Sequence, residues 1–239
     1  MNQADIIRAR FVTINSDANK IGKYAEPSKL RIEHLIKNGV GTYVFDIKKT
    51  DINNQREKSL DRNDIFVPTR WGLLLALRST TNPSTEVLAS FPMIGTSEDV
   101  TSVHPVGFLN DNIESLYNGS VTWLVDNGVL LSAYPTESFR KVPRQQGAFV
   151  LNSEDAAVNE QIKPEWNLDK ALEFITPRLT VAGTRDHKIS VNFDAAGLEF
   201  PVTDGYEPVL VLYMDGFLIK SGCENLDNNS PFAKQVGQW

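Results

Sequence analysis

Apolar residues in this chain recur at every second position, in short runs closed by Gly, Asn, Asp or Pro. That period of two limits the possible folds more than any motif does. Residues 121–125 (VTWLV) and 129–133 (VLLSA) flank Asp126, Asn127 and Gly128. Asn-Gly between two apolar, β-rich runs is the strongest local hairpin signal, because a type I′ turn needs positive φ at both central positions. By the same logic Asp215-Gly216 predicts a turn between residues 209–214 (VLVLYM) and 217–220. A third pairing joins residues 179–182 to 188–193 across the polar stretch from Gly183 to His187. Alternation is clear over residues 42–48 and weaker over 10–14, and further strand-like runs lie at 30–36, 65–67, 72–78, 86–91 and 148–151. About a dozen strands at this spacing predict an all-β sandwich or barrel.

Few, short helices are expected. Ser153 caps a helical pattern over residues 153–162 that Pro164 ends, and Asn167 caps 168–175, with Leu168, Leu172 and Ile175 on one face and Pro177 as the stop. Residues 111–116 read as one more helical turn. A helical patch between β-rich halves predicts two modules: an N-terminal β-barrel over residues 1–152, then a short helical connection, a C-terminal β-barrel and a tail over 153–239. Polar loops are expected at 16–28, 49–64 and 96–105. The tail after Gly222 has no clear period and is expected to order against a neighbour.

Composition removes several classes. With 239 residues, 41% hydrophobic, the chain is long and apolar enough to bury a core. Its single cysteine, Cys223, excludes a disulfide framework and a multi-cysteine metal site. The opening MNQADIIRARFVTIN shows no basic stretch followed by an apolar one, so no secretory signal is expected. Without that signal the two sequons, at Asn118 and Asn228, read as chance matches. The longest apolar runs, 71–77 and 209–214, have the length of strands, well short of the ~18 residues of a spanning helix. The chain is expected to be soluble and to meet a membrane only at its surface. A formal charge of −6 argues against strong direct nucleic-acid binding, which needs a basic stripe.

Templates for catalysis fail on their residue requirements. No phosphate-gripping G-x-x-x-x-G-K-[ST] and no nucleophile elbow G-x-S-x-G occur, and Gly39-Val40-Gly41 lacks the third glycine of a dinucleotide loop. The histidines His34, His104 and His187 are scattered, without the close spacing of metal ligands. Two oxygen-rich stretches, 51–55 and 110–114, lack the glycine and distal glutamate of a calcium loop and read as polar turns. Tyr43, Phe45, Phe66, Trp71, Phe91, Trp123 and Phe217 lie inside alternating runs and are expected in the core. Arg140, Lys141 and Arg144 form the one basic cluster, expected at a solvated or intersubunit edge. No catalytic, cofactor-binding or metal-binding residue is assigned, and no enzyme activity is expected.

Several segments together resemble a known family. They are residues 30–35 and 42–47, then 60–67 leading into 71–75, then 116–120, 139–146, 179–183 and 209–219. In pattern and order they are similar to the major capsid proteins of tailless icosahedral bacteriophages of Bacteroidetes-type hosts, and they cover most of the chain.

The resemblance implies a virion structural protein, made in the host cytoplasm, that forms an icosahedral shell. It implies two jelly-roll β-barrels standing side by side, with a homotrimer as the tile. The implied partners are copies of itself, other virion proteins and, where one lies under the shell, an internal membrane surface. Sixteen strands in this length leave ~15 residues for each strand and its loop, so one β-sandwich or barrel with extensions is the alternative. The alternative functions are a spike or receptor-binding β domain recognising host glycan and, third, a carbohydrate-active β enzyme.

Overall fold

The computed structural model describes residues 2–48, 57–82, 86–89, 115–140, 168–194, 198, 205–226 and 230–233. Helix α1 (Gln3–Lys20) leads into strands β1 (Glu26–Leu35), β2 (Thr42–Asp46), β3 (Ile65–Ser79) and β4 (Glu86–Ala89). The hairpin of β5 (Ser120–Val125) and β6 (Gly128–Pro135) follows. The short helix α2 (Leu168–Ala171), β7 (Glu173–Phe174), β8 (Val181–Ala182), β9 (His187–Asn192) and β10 (Tyr206–Ile219) complete the order. The protein is all-β in the main, with two antiparallel sheets. One runs β1-β10-β3-β4, with β7 and β8 also paired to β3, and the other runs β2-β9-β5-β6. Pairing is nested: β1 with β10, β2 with β9, β3 with β7 and β8, and β5 with β6. Both sheets draw strands from either side of residue 152.

The two layers bury their facing side chains in one core. Leu30, Ile32, Trp71, Leu73, Leu75, Leu210, Leu212 and Met214 from the first sheet meet Tyr43, Phe45, Val121, Trp123, Ile189 and Val191 from the second. The second sheet is covered on one face, and its strands alternate accordingly: β5 reads half-buried, buried, half-buried, buried from Ser120 onward. The first sheet is covered on both faces. Its outer side carries Ile65, Val67, Phe217 and Ile219 under Ile14 and Ala18 of α1. Farther along the same side, Leu74, Ala76, Val209, Val211 and Tyr213 pack with Ala171 and Leu172. Burial on both faces is why residues 71–76 and 209–214 are continuous apolar runs instead of alternating ones.

Several local expectations change. Residues 10–14 belong to α1: Ile7, Phe11, Ile14 and Ala18 recur at helical spacing, and Asn2 and Asp5 form a reciprocal capping box. The same helix takes up the first part of the loop expected at 16–28. Asp215-Gly216 is no turn, because β10 runs through it to Ile219. Residues 179–182 and 188–193 do not form a hairpin either; β8 joins β3 in one sheet while β9 joins β2 and β5 in the other. The expected helix over 168–175 stops at Ala171, and Glu173–Phe174 adds to the edge of β3. Runs 65–67 and 72–78 are one strand. The β5–β6 hairpin forms as expected, with Asp126 and Asn127, φ 47° and 70°, as its central residues and Gly128 as the first residue of β6. The helix expected at 153–162, the strand at 148–151 and the loop at 96–105 lie outside the described residues.

Candidate interaction surface

A bulge on β3 builds the most distinctive part of the sandwich. Asp215 of β10 pairs with Arg70, and Gly216 pairs with Pro68, which leaves Thr69 without a partner in the register. One extra residue reverses the facing of everything beyond it. Ile65 and Val67 point outward, whereas Trp71 points into the core.

Trp71 is the hub of an aromatic wedge between the sheets. Its ring meets Phe139 edge-on at 4.9 Å and lies 5.5 Å from Tyr134 and 6.0 Å from Trp123. Beside the wedge opens a shallow cleft of about 60 Å³, lined by Trp71, Leu131, Tyr134, Phe174, Pro177 and Leu179 among others. It is far smaller than the ~300 Å³ or more of a small-molecule site, and among the described residues no charged side chain lines it.

The bulge also anchors the wall of this cleft. The Thr69 carbonyl accepts the Ile175 N–H at 2.9 Å and the Arg10 guanidinium at 3.1 Å, and Arg10 donates to the Ile175 carbonyl at 2.9 Å. Arg10 also lies 5.4 Å from the centre of the Phe174 ring. Helix α1 thus clamps the segment that carries Phe174 and Pro177. On the opposite wall, β6 is the edge strand of its sheet among the described residues. It carries two register shifts, holds Ala133 at φ 49° and ends in Pro135. Bulges and proline blunt an edge against strand addition. What this edge offers a neighbour is therefore side chains, among them the exposed Val129 and half-buried Leu130 and Leu131.

Ion pairs organise the outer side of the first sheet. Arg70 pairs with Asp215 at the bulge, where Thr69 Oγ1 also donates to the Asp215 carbonyl at 3.1 Å. Glu33 of β1 sits between Arg31, at 2.6 Å, and Arg78 of β3. On α1, burial works against the charge of Asp17, but hydrogen bonds from Lys20 and Arg178 outweigh it and hold the carboxyl below its usual range.

The residues singled out in the sequence do not converge. His34 Nε2 lies 2.7 Å from the Val44 carbonyl with its ring against Phe45, while His187 is buried against Trp123; His104 lies outside the described residues. Among the described residues no three His, Cys, Asp or Glu side chains are grouped to hold a metal. Tyr43, Phe45, Phe66, Trp71, Trp123 and Phe217 are core residues, and Phe91 lies outside the described set. Of the basic cluster only Arg140 is described, half-buried after Phe139, and both calcium-like stretches lie outside the described residues. Part of the tail packs on its own chain: Phe232 is buried under α1 with the Arg178 guanidinium 5.1 Å from its ring centre. Trp239 lies outside the described residues.

The bulge was missed in the sequence, although Pro68 between two apolar runs is a signal for one, since proline in a sheet is confined to edges and bulges. No known family model matches this chain, and no curated protein matches it.

Proposed function

We propose that this chain is a virion structural protein, a shell subunit whose sandwich is a single jelly roll. The nested strand order carries this reading. A hairpin wrapped so that first pairs with last, second with next to last, and so inward, with its pairs shared between two sheets, is the jelly-roll arrangement. Viral capsid, lectin and cupin domains use it. In this reading the architecture is the one-sandwich alternative, with α1 and β4 as extensions, and a trimeric tile presents three rolls instead of six. The resemblance of residues 30–219 to phage capsid proteins favours the shell among the functions such a roll can host. The small apolar cleft and the blunted β6 edge suit packing of side chains between subunits.

Mass photometry and electron microscopy of the purified protein test this. Trimers, and sheets or shells at higher concentration, are expected. A protein that stays monomeric at high concentration and binds a host glycan would replace the shell reading with the spike.

A further inference from the structure

His187 opens β9 where the chain crosses between the sheets: β8 ends in the first sheet at Ala182, and after the four residues 183–186 β9 begins in the second. The His187 ring is buried, and Trp123 Nε1 donates to its Nδ1 at 3.3 Å. An indole N–H can only donate, so Nδ1 must accept, and the neutral ring carries its proton on Nε2. That nitrogen is buried, with no hydrogen bond of good geometry among the described residues, and the Ala182 backbone is the polar group that favours a charge on the ring. Around the pair, the crossing is pinned to the β5–β6 turn. The Asp126 N–H donates to the Asp186 carbonyl at 2.9 Å, and the Asp186 N–H donates to Asp126 Oδ1 at 2.8 Å. Lys48, beyond the end of β2, donates to Asp186 Oδ1 at 2.8 Å, and Arg185 lies 3.8 Å from Asp126 Oδ2.

We propose that His187 is an acid-sensitive latch: a proton on Nδ1 breaks its bond with Trp123 and loosens the crossing between the two sheets. Two N–H groups then face each other where one bond stood, and a cation is left in the core. Burial is the main force against that cation and lowers the pKa from 6.5 to about 4. Asp126 and the Ala182 backbone favour the charged ring, while Lys48 and Arg185 oppose it. The imidazolium is drawn to Asp126, whose carboxylate now holds the Asp186 N–H, so gaining that partner competes with the bond that pins the crossing.

The sign follows from linkage. As pH falls from 6.5 towards about 4 the unfolded chain takes up this proton and the folded chain does not, so stability declines across that window. Below it the folded ring is charged and the latch is open. This goes beyond the shell reading and does not depend on it.

The test compares urea unfolding of the wild type and His187→Gln between pH 7 and pH 4. Glutamine can accept from Trp123 and does not titrate. The wild-type unfolding constant is expected to rise about a hundredfold more over this range than that of the variant. Equal pH dependence would overturn the latch. Long-range ¹⁵N–¹H spectra of the wild type decide the matter if the variant does not fold. Support is a His187 ring protonated on Nε2 at neutral pH that takes its second proton near pH 4, as the Trp123 indole signal shifts. A ring protonated on Nδ1 at neutral pH, or titrating near 6.5, would overturn it.

Discussion

Arg70 of β3 and Asp215 of β10 face each other across the bulge, on the outer side of the first sheet. Their ion pair lies between two apolar clusters, one under α1 and one against α2. Removing one member of a largely buried pair strands the other charge. Asp215→Ala is expected to lower the unfolding free energy by about 3 kcal/mol, and the double change Arg70→Met with Asp215→Leu by much less. Urea titrations of the three proteins check this; a double change as damaging as the single one would show that the pair itself stabilises the sheet.

Gly216→Val is expected to be poorly tolerated for a reason other than a turn. Its φ lies outside the left-handed region, but a Cβ there would fall 2.2 Å from the Val67 carbonyl oxygen, a backbone atom. Overpacking of this kind costs roughly 1–3 kcal/mol or more. Gly22 offers a contrast: its φ is +71° and nothing lies within 4 Å of an added Cβ, so Gly22→Ala meets only backbone strain, about 1 kcal/mol. Thermal melts should rank Gly216→Val well below Gly22→Ala.

Ala133 sits at φ 49° in the β6 bulge region, a conformation that favours glycine. Ala133→Gly is expected to be neutral or to stabilise by up to about 1 kcal/mol, and Ala133→Val to destabilise by about 1–2 kcal/mol. Opposite signs in chemical denaturation would show that side-chain contacts outweigh the backbone at this position.

Arg10→Met keeps the length of the side chain and removes its two bonds to the Thr69 and Ile175 carbonyls. A loss of about 1.5–3 kcal/mol is expected, the range for hydrogen bonds to charged groups. Hydrogen exchange should accelerate at Ile175, whose N–H bonds the same Thr69 carbonyl. Protection unchanged at Ile175 would mean that α1 does not hold the cleft wall.

What the sequence revealed followed from how many faces of an element are covered. Strands of the second sheet, buried on one side, alternate plainly over Tyr43 and Phe45 and over Val121 and Trp123. The runs around Leu74 and Val211 look uniformly apolar because both faces are covered, which marks a strand without giving its facing. Helix α1 was misread because its buried stripe is thin and Val12, inside the weakly alternating stretch, is exposed. Asp215-Gly216 looked like a turn because glycine serves two needs with one letter, positive φ and close backbone approach, and here it serves the second. The cleft was not legible at all, since Trp71, Tyr134 and Phe174 come together only through tertiary pairing.

The nested order also sets the timing of synthesis. β3 is made early, yet its long central partner β10 leaves the ribosome roughly 125 residues later, a delay on the order of 6–25 s at ~5–20 residues per second. Throughout that interval fifteen residues of strand, including the run from Trp71 to Ala76, wait without the neighbour that covers their main edge. Pairings so distant in sequence are slow to form. The growing chain is therefore most vulnerable to premature association just before β10 appears, and a chaperone that shields β3 during translation would raise the yield of folded subunit more than one added after release.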